Sequence, residues 1–304
     1  MARVGVVGIG NMGLAIALRL VDRGHDVAVR DIDPARDALA AGCAVCASPR
    51  DVAARSELVI VAVVDAVQVD VVLFGDDGIV QAGGPRTVIL CPTIGVADVE
   101  RCAARLAVAG LEAIDAPMSG GPQRARLGTM SLMVAAPEAL AARWRGLLDD
   151  LAAPVFHVGT RPGDGARTKL VNNLLAAVNL AGAAEALALA ERLGLDASRT
   201  LGVIEASSGQ SWIGSDRLRR AISGDAVPRA HVSLLAKDSA LALHEAQVAG
   251  LDAPVGRAAA ACFADAVKAG LAGADDSALW RHAAGREPAD PTDLSVAPPP
   301  GTAP

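Results

Sequence analysis

The chain opens with a short apolar run, Val4-Gly5-Val6-Val7, followed at once by Gly8-Ile9-Gly10-Asn11-Met12-Gly13. A helical pattern then runs from Asn11 to Arg23 and ends near Gly24. Few folds tolerate three glycines at this spacing between a strand and a helix. Gly8 permits a tight turn, Gly10 lets a ligand come close to the backbone, and Gly13 lets helix and strand pack closely. The helix N-terminus, with Asn11 and Met12 in its first turn, offers free N–H groups and a positive dipole end, together with Ile9 in the turn. The segment therefore predicts a pyrophosphate-binding turn for a dinucleotide; a purely structural glycine turn is the alternative.

Beyond it, strand and helix patterns alternate. Asp26–Arg30, Leu58–Val64, Thr87–Leu90, Leu111–Ile114 and Met130–Val134 read as strands, and 35–41 as a helix closed by Gly42. Such alternation predicts an α/β fold, an N-terminal Rossmann doubly wound parallel sheet. The pattern changes at the turn-rich 160–165. From Ala166 to Arg192 no helix breaker occurs except Gly182, which predicts one long, almost wholly apolar helix, buried between domains or subunits. The segments 197–207, 215–223, 232–249 and 254–269 also read as helices. The expected organisation is a dinucleotide-binding domain over 1–163, an all-α substrate and dimerisation domain over 164–285, and a proline-rich tail over 286–304, expected to be disordered.

With 52% apolar and 20% charged residues, most of the chain is expected to be globular. A net charge of -6 gives no sign of a nucleic-acid or anionic-membrane partner. The apolar stretch 174–190 contains Asn179 and Glu185, which argues against a membrane span, and no signal peptide is visible. Five cysteines suggest no disulfide framework, and Cys43 and Cys46 have no second pair with which to bind zinc, so no metal is expected. The expected setting is a reducing cytoplasm.

The choice between the two common dinucleotides is read at the end of the second strand. Asp31 lies eighteen residues beyond Gly13, where a carboxylate bonds the adenosine ribose hydroxyls, and Ile32 follows where a 2'-phosphate binder often carries arginine. Arg30 and Arg36 lie nearby; NAD is favoured over NADP. The lysines point to chemistry. Of 28 basic residues only Lys169, Lys237 and Lys268 are lysines, and tyrosine is absent. Arginine cannot give up its proton at working pH, whereas a sequestered lysine can. Lys169, Asn172 and Asn173 stand at i, i+3 and i+4, which predicts one polar face on an apolar helix. Burial there would suit proton transfer near neutral pH. A solvated first turn without chemistry is the alternative. Asp115 to Gly121 reads Asp-Ala-Pro-Met-Ser-Gly-Gly, and its Ser119-Gly120-Gly121 turn exposes backbone N–H groups suited to a carboxylate. None of the five histidines forms a recognisable carboxylate dyad.

Together these motifs make the chain resemble the β-hydroxyacid dehydrogenase family, related to 3-hydroxyisobutyrate dehydrogenases, over residues 1 to about 285. The resemblance rests on Gly8 to Gly13, Asp115 to Gly121, Gly165-x-x-x-Lys169-x-x-Asn172-Asn173 and Lys237-Asp238. Stretches 63–68, 72–75, 209–212 and 275–278 are similar to its L-threonate dehydrogenase branch, which points to four-carbon sugar acids. The resemblance implies that Lys169 is catalytic with Asn173 assisting, that Ser119, Gly120 and Gly121 hold the substrate carboxylate, and that Lys237 approaches nicotinamide and substrate. Val64, Asp65 and Thr93 fall at cofactor-contacting positions. There the chain departs from the family: Val64-Asp65 replaces a Leu-Pro, and Pro92-Thr93 replaces a Ser-Thr.

These readings converge on hydride transfer between NAD and the hydroxyl-bearing carbon of a small hydroxy acid, by a homodimer or homotetramer. Two alternatives stay open: an NADP-dependent reductase of a small aldehyde acid, and a cofactor-binding scaffold without activity.

Overall fold

The computed structural model describes residues 1–83 and 87–286. The predicted tail beyond Arg286 lies outside them. The described residues form two compact units, divided after Asn172.

The first unit is built on nine strands among the described residues: β1 (Arg3–Val7), β2 (Asp26–Arg30), β3 (Ala44–Val45), β4 (Leu58–Val61), β5 (Thr87–Leu90), β6 (Glu112–Asp115), β7 (Met118–Ser119), β8 (Met130–Ala135) and β9 (Ala152–Gly159). Their order is β3-β2-β1-β4-β5-β6-β8-β7, with β9 on β8. The first six pair in parallel. β1, β4 and β5 are apolar, and nearly every residue in them is buried, as a sheet covered on both faces requires. This is a Rossmann sheet, but not a wholly parallel one. β8 runs antiparallel to β6 and β7, while β9 lies parallel to β8.

Several sequence expectations change in detail. The strand beginning at Leu58 stops at Val61, and the next residues, Ala62 and Val63, lie against Gly8. The helix expected over 35–41 is a six-residue 3-10 stretch, Pro34–Leu39, whose cap Asp33 accepts a bond from the Ala35 N–H. Strand β9 had no clear signal, since Pro154 interrupts it and most of its residues are part-exposed or exposed; proline is admitted where a strand need not donate to a ladder. Cys43 and Cys46 are free thiols, the second buried.

The division between the units falls inside one continuous helix, Asp164–Arg192. Within the single chain, Val171, Leu175 and Leu189 on this helix are exposed. This helix is long and apolar enough to cross a membrane by length and composition, although 44% of its most apolar window is buried inside the protein. The second unit is helical, with Ala197–Glu205, Trp212–Ile222, Val232–Val248, Pro254–Ala266 and Leu279–Ala283. Phe263, Leu180, Leu187, Leu218 and Val232, all completely buried, form its core.

Buried ion pairs tie its loops. Arg217 donates to Asp276, and Arg220 pairs with Asp275. Burial pushes the Asp276 carboxyl up to about 6, against the pull of Arg217.

Candidate active site

The glycine turn lies where the strand order reverses, between β1 and β4, at the C-terminal ends of the strands. That crevice is where open α/β sheets bind ligands. Gly8 adopts φ +87, a conformation that side chains disfavour, and its N–H donates to the Arg30 carbonyl. A Cβ on Gly13 would stand 1.8 Å from the Gly8 carbonyl oxygen, so the Asn11–Asp22 helix can approach β1 only with glycine there. Around Gly10 nothing lies within 4 Å of the corresponding point. Two glycines are thus spent on close packing while the middle one faces open space beside the helix N-terminus. This arrangement fits a pyrophosphate.

Asp31 follows directly on β2. Its Oδ2 accepts the Ile9 N–H at 2.6 Å and its Oδ1 accepts the Asp33 N–H at 2.9 Å. The carboxylate is thereby fixed against the glycine turn and still half-buried rather than enclosed. Ile32 is 92% exposed and contributes no charge. The Arg36 guanidinium leans toward Asp33, 3.8 Å away. After β4, Val64 is exposed and its N–H donates to Gln68; Asp65 caps the 66–74 helix by accepting the Gln68 N–H. The side chain of Asp65 thus already serves its own helix. Thr93 is half-buried in the loop after β5.

Ser119 ends β7, paired with Ser131. Gly120 and Gly121 follow with φ +123 and +77, so the backbone reverses over two successive residues that both need glycine. Asp115 closes β6 four residues earlier and is buried. Its Oδ2 accepts the Gly163 N–H at 2.8 Å and the Ala166 N–H at 3.1 Å, at the first turn of the Asp164–Arg192 helix.

Lys169 and Asn173 are each only 7% exposed. Asn172 does not share their burial; it is exposed, as is Val171. In the helical unit, Asn173 donates to Asp238 Oδ2 at 2.6 Å, and the Lys237 ammonium donates to Asp238 Oδ1 at 2.7 Å. Asp238, itself 7% exposed, joins two residues that lie 64 positions apart in the sequence. Sequence reasoning quoted Asp238 only as part of a motif, and gave Asp115 no task of its own. Pairing across such distances leaves no local trace.

One reading is corrected. His25 does form a carboxylate pair, with its Nε2 3.0 Å from Asp150 Oδ2. The pair was hidden because its members are 125 residues apart. It sits at the start of β2, the end of the strand opposite Asp31, and so outside the crevice. His25 and Arg23 together hold the Asp150 carboxyl below its ordinary range despite its burial.

A tight glycine turn at the switch point, with an acidic residue closing the neighbouring strand, defines a Rossmann-type nucleotide-binding fold. The comparisons with known proteins narrow the class. Residues 3–159 match the NAD binding domain of 6-phosphogluconate dehydrogenase, and residues 163–283 match the NAD-binding domain of NADP-dependent 3-hydroxyisobutyrate dehydrogenase. The chain is 36% identical to an L-threonate dehydrogenase of Cupriavidus necator, over 91% of this chain and 94% of that one. It is 33% identical to a 3-hydroxyisobutyrate dehydrogenase of Pseudomonas aeruginosa, over 92% and 99%. Among solved structures, a 3-hydroxyisobutyrate dehydrogenase from Salmonella typhimurium superposes with TM-score 0.84 at 34% identity, covering 92% of this chain and 99% of that one. The chain belongs to the 3-hydroxyisobutyrate dehydrogenase family and is a hydroxyacid dehydrogenase acting on small hydroxy acids.

Proposed function

We propose that the chain oxidises a small hydroxy acid with NAD, that the substrate is a four-carbon sugar acid of the L-threonate kind, and that Lys169 handles the proton. The observation that carries this reading is the burial of Lys169 in a chain that uses lysine only three times. Five L-threonate dehydrogenases, 33 to 36% identical, support the substrate class.

A bound nicotinamide would supply the hydride acceptor. The protein's own part is positional and acid–base. Gly8, Ile9, Gly10, Asn11, Met12 and Gly13 cradle the pyrophosphate, with Asp31 on the adenosine ribose and Ile32, Val64, Asp65 and Thr93 around the remainder. Asp31 favours NAD, because a 2'-phosphate would meet a like charge already held by two backbone N–H groups. Ser119, Gly120 and Gly121 hold the substrate carboxylate, which fixes the reacting carbon. In oxidation, neutral Lys169 accepts the hydroxyl proton; in reduction, its ammonium returns it. Asn173 orients this chemistry, and Lys237, anchored on Asp238, reaches the substrate and nicotinamide. Asn172, exposed, plays the lesser part.

In this reading residues 1–163 carry the dinucleotide and 164–285 the substrate and assembly functions, in a cytoplasmic homodimer or homotetramer. The exposed Val171, Leu175, Leu189 and Leu193 support assembly, since a second copy would remove them from water. Light scattering measures it directly. The decisive test of function is NAD reduction over a panel of hydroxy acids, with L-threonate turned over faster than 3-hydroxyisobutyrate. Equal or better turnover with NADP and an aldehyde acid would favour the reductase alternative.

A further inference from the structure

We propose that Asp115 is a positioning residue for the reaction: its buried carboxylate pins the first turn of the Asp164–Arg192 helix and so sets where the Lys169 amine stands. The inference rests on the reading of Lys169 as the proton carrier.

The geometry is specific. Helix first turns leave N–H groups without partners, and a carboxylate there is favoured by the dipole. Here the N–H groups of Gly163 and Ala166 both bond to one carboxylate oxygen, and the Gly165 N–H between them faces the same carboxylate and helps to lower its pKa. That carboxylate comes not from the helix but from the end of β6, a central strand. Gly165 makes room for it: a Cβ at this position would stand 2.8 Å from Asp115 Cγ and 2.8 Å from the Met133 carbonyl oxygen. Lys169 follows Ala166 by three residues, less than one further turn. The same strand end leads through Ala116 and Pro117 into Ser119-Gly120-Gly121. One side chain therefore ties the lysine's helix to the strand that delivers the proposed carboxylate loop.

The charge of Asp115 matters to this arrangement. The ionised group presents only acceptors to these backbone donors. Protonation turns one oxygen into a donor and removes the attraction to the helix end. Burial drives the carboxyl up to about 6 even though the three backbone N–H groups pull it down. The neighbouring groups do not relieve this: Asp164 on the helix is a like charge, and Cys91 after β5 is a buried thiol pushed up to about 12. Arg167, on the same turn, is engaged by Glu100 and Asp164.

The test separates Asp115 from Lys169 by direction. In reduction Lys169 must carry its proton, so acid cannot silence it. A fall in reductive kcat as pH drops through about 6 is then expected from Asp115. In Asp115→Asn that acid limb should vanish, with kcat lowered about ten- to hundredfold at neutral pH and KM little changed. Circular dichroism should show Asp115→Asn folded at neutral pH, so that the loss of kcat is not a loss of fold. Gly165→Ala, which obstructs the seat without altering the charge, should lower kcat similarly. A second readout needs no turnover: hydrogen exchange protection at Gly163, Gly165 and Ala166 should fall in wild type on acidification through the same pH, and in Asp115→Asn at neutral pH. Wild-type kcat and an intact acid limb in Asp115→Asn, or unchanged protection at those three amides, overturns the proposal. Loss of protection in a wild-type protein that transfers no hydride would instead remove the Lys169 reading and leave the pinning role standing.

Discussion

The strand-rich unit and the helical unit hold their polar groups by different means. In the first, the key contacts are made to the backbone. Asp31 is held by the N–H groups of Ile9 and Asp33, and Asp115 by those of Gly163 and Ala166. Glycine decides which N–H groups are within reach. In the second, side chains hold side chains: Asn173 and Lys237 on Asp238, Arg217 on Asp276, Arg220 on Asp275. A backbone-built site keeps its geometry whatever the neighbouring side chains do, and is costly to alter at a glycine. A side-chain network works only while each member has its partner, because an orphaned buried charge is heavily penalised. The two styles can therefore be dismantled separately, each with its own signature.

The largest effect is expected from Lys169→Ala, with turnover down by about a thousandfold and dinucleotide affinity retained. Stopped-flow hydride transfer and a fluorescence titration read the two quantities; unchanged turnover ends the assignment. Next comes Gly13→Ala, which places a carbon 1.8 Å from the Gly8 carbonyl. It should abolish measurable dinucleotide binding by calorimetry, and normal affinity would show that the helix can move away from β1. In the helical unit, Asp238→Ala should cost about 2 kcal/mol of stability, read by urea unfolding, and raise KM as Lys237 and Asn173 lose their shared anchor. Asp238→Asn, keeping shape but not charge, should recover part of the stability and little of the activity. A smaller change is expected for Asp31→Ala: the ratio of NAD to NADP affinity should fall about tenfold, on the scale of one lost charged hydrogen bond. The smallest is Asp150→Asn, at the far end of β2. Its carboxyl is held low by His25 and Arg23, so its stabilisation is present above the ordinary carboxylate pKa and is lost as pH falls through the lowered value. Turnover should not change, and melting temperature should drop only above that acid range.

Much of the first unit could be read from the sequence because its determinants are local. Apolar runs, three glycines at fixed spacing and a carboxylate at the end of the second strand are each visible within a few residues. The antiparallel placement of β8 was not visible, since Met130–Ala135 is apolar enough for either direction. Lys169 stood out by scarcity; spacing alone left Asn172 and Asn173 equivalent, and only the family resemblance singled out Asn173. At 3.6 residues per turn, adjacent positions point about 100° apart, and only the surrounding packing selects which is buried.

The sequence by itself determined the class of fold, and it singled out the glycine turn and the one lysine of three that is buried. These depend on residue type and short spacing, which the linear chain displays. Tertiary structure alone decided that Asp115 seats the helix of Lys169, that Asp238 joins Asn173 to Lys237, and that His25 meets Asp150 away from the crevice. Each of those contacts closes a loop of tens of residues or more, and what holds it is burial and hydrogen bonding that exist only once the chain has folded.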